Sequence, residues 1–135
     1  MFDTKIVLIL REDLPSWQAL NVSAFLMSGV TAGAPEIIGE PYLDRDGRRF
    51  LPVSTQPVIV LEADGETIRK AAARMKEQDV DGAAYIEEMF STGHDAANRA
   101  VFSEFGADDA KFVGLGYRAP KKIADKISKG ARMHR

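Results

Sequence analysis

The sequence predicts a compact α/β sandwich, and three features carry that prediction. Residues 5–11, Lys-Ile-Val-Leu-Ile-Leu-Arg, form a continuous apolar run with polar ends, as in a strand buried on both faces. A second run of this kind, Gln-Pro-Val-Ile-Val-Leu-Glu, occupies 56–62, with Pro57 placed at its start where a missing N–H does least harm. Ala63-Asp64-Gly65 then turns into a helix over 66–77, where Ile68, Ala71, Ala72 and Met75 share one face and Arg69, Lys70, Arg74 and Lys76 point away. Strand–helix–strand units favour parallel neighbours joined by right-handed crossovers.

The remaining elements follow in order. Glu12-Asp13-Leu14-Pro15 ends the first strand, and Pro15 suits a first helical turn. Ser16 to about Val30 is helical material that is apolar almost all round (Trp17, Leu20, Val22, Phe25, Leu26, Met27), which predicts a largely buried helix. Asn21 and Ser28, seven apart, share a face as a candidate polar pocket or a buried pair bonded to backbone. Thr31-Ala32-Gly33-Ala34-Pro35 ends this helix. Ile37–Leu43 and Arg48–Val53 flank Asp44-Arg45-Asp46-Gly47, a hairpin signal that makes 37–53 an inserted β-hairpin. A third strand covers Ala83–Glu87, a helix follows to about Phe105, and Lys111–Tyr117 is a fourth strand. Pro120 opens a last helix with Ile123, Ala124 and Ile127 as its apolar stripe. With no repeat and no linker, residues 1–135 read as a single domain of ordinary size.

Composition narrows the classes of function. The 45% apolar and 28% charged content is that of a soluble globular chain. No apolar run approaches the ~20 residues that span a bilayer, so no membrane partner is expected. The first ten residues read as a strand, not a signal peptide. Absence of cysteine removes disulfides, thiolate metal sites and thiol nucleophiles, and it fits a cytoplasmic location. The net charge of −2 conceals a basic tail: residues 111–135 carry 8 basic side chains and one acidic, Asp125. Such a tail is either a phosphate-binding surface or the solvated face of a terminal helix, and no aromatics are interleaved for base stacking.

The densest chemistry lies at 91–99, Ser-Thr-Gly-His-Asp-Ala-Ala-Asn-Arg. A structural account explains most of it. Thr92 and Asp95 match a capping box, Gly93 fills the turn, and Arg99 is placed four residues on for an ion pair with Asp95. His94 alone is then left without a structural task. A functional account uses the same geometry: a strand ending at Glu87-Glu88 delivers the chain to a helix start at the carboxyl edge of the sheet, where ligands of open α/β sheets bind. Glu88 is then a candidate general base, with Thr92 or His94 orienting water or substrate. Arg11 and Asp13, at the end of the first strand, join the same cleft if they reach the same edge. Trp17, the lone tryptophan, is a rim packing residue or a stacking platform. One histidine among scattered carboxylates is not a metal motif, so no metal is expected; the glycines of Val113-Gly114-Leu115-Gly116 fall short of a dinucleotide fingerprint, so no cofactor is expected.

Several stretches together resemble type II peptidyl-tRNA hydrolases: KIVLILREDL at 5–14, QPVIV at 56–60, AYIEE at 84–88 before a threonine, VGLG at 113–116 and IADKI at 123–127. More closely, LPSWQALNVSAFLMSG and TGHDAANR are similar to an uncharacterised bacterial family grouped with those hydrolases by fold. The resemblance implies a three-layer, four-stranded mixed sheet with helices on both faces, often as a homodimer. It carries the hydrolases' aspartate onto Glu88 and their threonine onto Thr92, while their lysine falls near Asn21, which has no charge. The expected activity is therefore binding or hydrolysis of a small ligand in a cleft around 92–95. Glu88, Thr92 and His94 would be catalytic, and Arg11, Asp13, Trp17, Asn21, Asp95, Asn98 and Arg99 would bind ligand. The alternatives are a non-catalytic dimeric interaction module and a true peptidyl-tRNA hydrolase with tRNA held by the basic tail.

Overall fold

The structure, a computed structural model, describes residues 2–135. The elements run β1 (Thr4–Arg11), α1 (Ser16–Gly33), β2 (Tyr42–Leu43), β3 (Arg49–Phe50), β4 (Val58–Ala63), α2 (Gly65–Glu77), β5 (Gly82–Ile86), α3 (Asp95–Phe102), β6 (Phe112–Pro120), α4 (Lys121–Ile127) and β7 (Arg132–Met133). One-turn 3-10 segments lie at Pro35–Ile37 and Glu87–Ser91. The main sheet has the order β5-β6-β1-β4-β7 and is mixed. β1 pairs parallel with β4, and β6 pairs antiparallel with both β1 and β5.

Strand periodicity divides the core. Leu8 and Leu10 face α1, meeting Ala19, Val22 and Leu26, with Tyr85 and Val113 from the neighbouring strands. Val7, Ile9, Leu115 and Tyr117 face the other way, onto Ile68, Ala71 and Met75 of α2 and Ala124 and Ile127 of α4. Helices therefore cover both faces. The Tyr117 hydroxyl, fully buried, donates to the Ala124 carbonyl at 2.9 Å and ties β6 to α4. Burial pushes its phenol above the usual value, so it stays a proton donor at any working pH.

Several expectations are corrected. The sheet has five strands, not four, because β7 adds to β4 through Leu61–Met133 and Glu62–Arg132. A two-residue edge strand has no apolar period to reveal it. What holds it is charge: the buried Glu62 carboxylate lies 3.6 Å from Arg132 and 3.3 Å from Arg135, and it accepts the Arg135 backbone N–H at 3.0 Å. The first helix runs on to Gly33, with Ala34 as its cap, and it is not buried all round. Ala19, Val22, Leu26 and Val30 face the sheet, while Trp17, Leu20 and Phe25 stay exposed. The 37–53 hairpin is shorter than expected. Ile37 belongs to a 3-10 turn, and β2 and β3 pair only Tyr42 with Phe50 and Leu43 with Arg49. Asp44 holds its turn by accepting the N–H groups of Asp46 and Arg48, and Gly47 there adopts φ 80°, where a side chain would be strained. The third strand stops at Ile86, so Glu87 and Glu88 lie in the following turn, and α3 ends at Phe102 rather than at 105.

The Glu62 cluster gives the fold a dependence on acid. Burial raises the Glu62 carboxyl, but the Arg135 N–H and the charges of Arg135 and Arg132 outweigh it and hold it below its ordinary value of 4.5. A lowered folded value means stability that is present above 4.5 and is lost as pH falls through that lowered value. Thermal denaturation followed from neutral pH into the carboxylate range should show a steeper acid loss for the wild type than for Glu62→Gln. Superimposable profiles would remove Glu62 from this role.

Candidate functional site

Because β1, β4 and β5 all run the same way, their carboxyl ends share one edge of the sheet, as the sequence required for a common cleft. There the Arg11 guanidinium donates through Nε to Asp13 at 2.6 Å and through a terminal nitrogen to Glu87 at 3.0 Å. Partial burial works against the Arg11 charge, but bonds to these two carboxylates hold its pKa above the ordinary value. Arg11 and Asp13 thus meet the end of β5, though through Glu87 and not Glu88. The Glu88 side chain is half-buried, and its Oε1 is shielded from solvent with no hydrogen-bond partner. A carboxylate oxygen left in that state is costly unless a donor reaches it.

The helix start that follows differs from the expected capping box. The cap of α3 is His94, whose Nδ1 accepts the Ala97 N–H at 3.2 Å. Thr92 lies two residues before the cap, too early for that task. Its hydroxyl donates to the Met89 carbonyl at 2.9 Å and is bonded to the Asn98 side-chain amide. His94 is the residue with the structural job, and its exposed ring is committed to the backbone. Replacing His94 with alanine should cost about 0.5–1 kcal/mol, the lower range for a lost cap, seen as a lowered denaturation midpoint. Ligand binding that survives in that variant would confirm that the imidazole serves only the helix.

Asp95 and Arg99 form the expected surface ion pair at 2.7 Å. With Asn98 they make one wall of a pocket of about 420 Å³ between α1, β5 and α3. The opposite wall is aromatic: Phe25 from α1 and Tyr85 from β5, their centroids 5.8 Å apart. Tyr85 continues a row of rings, 5.2 Å to Phe90, which in turn meets Trp17 edge-on at 6.5 Å. Phe90, in the turn after β5, therefore joins Tyr85 of the pocket to Trp17 at the start of α1. Trp17 and Asn21 lie one turn apart on the exposed side of α1, in line with Phe25. The Asn21–Ser28 polar pocket does not form: both residues are exposed, and the Ser28 hydroxyl donates to the Phe25 carbonyl of its own helix.

Of the sequence-derived set, Asp95, Asn98 and Arg99 share the pocket, with Thr92 behind Asn98. Arg11 and Asp13 share the sheet edge with Glu87. His94 and Asn21 belong to neither. Sequence reasoning missed Tyr85 and Phe90 as site residues. Their signal was the aromatic pair bracketing Ile86-Glu87-Glu88-Met89, which reads as ordinary core until the 3-10 turn folds one ring onto the other. Among the described residues, no group of three histidine or carboxylate side chains is arranged to hold a metal ion. None of the described helices is long and apolar enough to cross a membrane.

Residues 4–135 match the model of a family described as protein of unknown function, DUF2000. A solved structure of a protein of unknown function from Agrobacterium tumefaciens strain C58, Atu0240, is similar at 58% identity with a TM-score of 0.98, covering 100% of both chains. No curated protein matches the chain.

Proposed function

Since the chain belongs to the DUF2000 family of proteins of unknown function, we propose from its own geometry that it binds a small, flat, hydrogen-bonding molecule. The pocket between α1, β5 and α3 carries this reading: one wall is aromatic, the other offers an amide and an ion pair. Its volume of about 420 Å³ lies within the usual range for small-ligand sites. A ring would lie on Phe25 and Tyr85, leaving its polar edge for Asn98 and Arg99. NMR-detected screening of a fragment library should give hits whose shifts centre on Tyr85 and Asn98. Asn98→Ala should weaken such hits about fivefold, the worth of one hydrogen bond of ~1 kcal/mol. A library that perturbs neither residue would overturn the reading.

One observation favours hydrolysis as a second reading: the unpartnered Glu88 Oε1. A water held there would have a base beside it. Thr92 would act by orientation, since no base bonds its hydroxyl. Release of peptidyl groups from a charged tRNA, lost in both Glu88→Ala and Thr92→Ala, would establish this chemistry. In the basic tail, Arg118, Arg132 and Arg135 are engaged by Glu36, Glu12 and Glu62, which leaves the tail's lysines as the cations for RNA phosphates.

A homodimer is the third element of the proposal. Helix α1 has no charged residue in 18 positions yet exposes Trp17, Leu20 and Phe25. Charge depletion with exposed aromatics is the composition of an interface core. Sedimentation should find a dimer that Leu20→Glu converts to monomer; a wild-type monomer at all concentrations would refute it.

A further inference from the structure

A second cavity lies across β5 from the pocket just described, on the α2 side of the sheet. It is the larger of the two, at about 660 Å³, and its walls come from α2, β5, β6 and the 103–111 connection. Two aromatic side chains from that connection and the end of α3, Phe105 and Phe102, stand over a floor of Met75, Ile86, Phe112 and Leu115. Ile86, Met75 and Leu115 are core residues, so the floor continues the hydrophobic core outward instead of closing it. Small side chains hold the space open: Ala72 and Ala73 on α2, and Ala84 on the facing strand.

The roof is held apart from the floor by its own bonds. Asp109 accepts the Gly106 N–H at 2.6 Å, and Ala110 N–H donates back to the Gly106 carbonyl at 3.1 Å, forming a closed turn. The Glu87 N–H donates to the Lys111 carbonyl at 3.0 Å and anchors the far end of the connection beside β5.

Two cations stand at the α2 rim, Arg69 and Lys76. Arg69 is already engaged, bonded to Glu66 through two nitrogens at 2.5 and 3.2 Å, and Asp108 of the connection lies near enough to reinforce its charge. Lys76 forms no ion pair among the described residues. Asp108 also lines the cavity and offsets Arg69, so the cavity combines an apolar body with Lys76 as the one lining cation that has no ion pair among the described residues. We infer that it is a second ligand site, taking an amphipathic carboxylate whose apolar part lies between Phe105 and Ile86 and whose anionic head meets Lys76. An apolar body alone would gain the burial but not the head-group attraction, so the site selects acids over alcohols of the same length. Aliphatic and aryl acids share this chemistry, and shape distinguishes them.

The test is titration of the full chain, followed by NMR, with octanoate, phenylpropanoate and octanol. The expected result is saturable shifts at Ala72, Ile86, Phe112 and Leu115 with at least one of the acids. Octanol should bind more weakly, and Lys76→Glu should weaken the acid about fivefold while leaving octanol unchanged. Whichever acid binds more tightly identifies the source as chain-like or ring-like. Ala72→Phe, which fills this cavity alone, should abolish both; Lys76→Glu, an exposed change, keeps the test valid if that variant does not fold. Shifts confined to Phe25, Tyr85 and Asn98 would overturn the inference while supporting the pocket on the other face. So would no shift at all, or equal weakening of acid and alcohol by Lys76→Glu.

Discussion

Gly116→Val is expected to destabilise the protein by about 3 kcal/mol, toward the upper end of what overpacking a core costs. A Cβ at Gly116 would lie 2.9 Å from Leu8 Cδ2, 3.1 Å from Leu26 Cβ and 3.2 Å from Val30 Cγ2. Leu8 has a flexible end that can turn away. Leu26 Cβ cannot, because it is fixed to the backbone of α1, so relief requires the helix to lift off the sheet. The glycines of Val113-Gly114-Leu115-Gly116, which fall short of a dinucleotide fingerprint in sequence, are the seat of α1. Lifting α1 also moves Phe25 away from Tyr85. Chemical denaturation would measure the stability loss, and fragment binding at Tyr85 should weaken more than the residual folded fraction explains. Full stability in Gly116→Val would mean that the close approach of α1 is not required by the fold.

The second large effect belongs to Tyr117. Its ring fills the interior between β6, α2 and α4 with no exposed surface. Tyr117→Ala should cost about 4 kcal/mol, the usual range for an aromatic removed from a core. Tyr117→Phe, which removes only the bond to the Ala124 carbonyl, should cost ~0.5–1.5 kcal/mol, the worth of one hydrogen bond, since that carbonyl still accepts the Ser128 N–H at 3.1 Å. The difference between these variants separates packing from the hydrogen bond. Equal losses would mean that the hydroxyl, not the ring, holds α4 in place.

Elements with a strong local period were legible in the sequence. The apolar run of β1 and the amphipathic stripe of α2 are found as expected, with Ile68, Ala71, Ala72 and Met75 inward. What failed did so where periodicity carries no information. Apolar residues around all of α1 suggested burial, but a single helix on one face of a sheet has an outer side regardless of what it carries. β7 is held by Arg132 and Arg135 on Glu62, a long-range charge contact that no local window contains. The cap of α3 went to His94 instead of Thr92 because the 3-10 turn at Glu87–Ser91 shifts the helix start by more than the S/T-x-x-D pattern assumes. The shared sheet edge was legible in the sequence, and Arg11 and Glu87 do meet there. Its aromatic wall was not, because Tyr85 and Phe25 are distant in sequence and ordinary in each local context.

The arm formed by β2 and β3 rejoins the body where it leaves it. Ile38 bridges to Ser54, the Gly39 N–H donates to the Val53 carbonyl at 3.2 Å, and the Thr55 N–H donates to the Ile37 carbonyl at 2.8 Å. The two ends of the loop are thus already fastened side by side, and everything between them can vary in length and sequence without changing the path of the chain. The arm is an interchangeable cassette on a constant frame. Its exposed Tyr42, Leu43, Phe50 and Leu51 can diverge to suit different surroundings while the sheet, the two cavities and the buried carboxylate beneath stay the same.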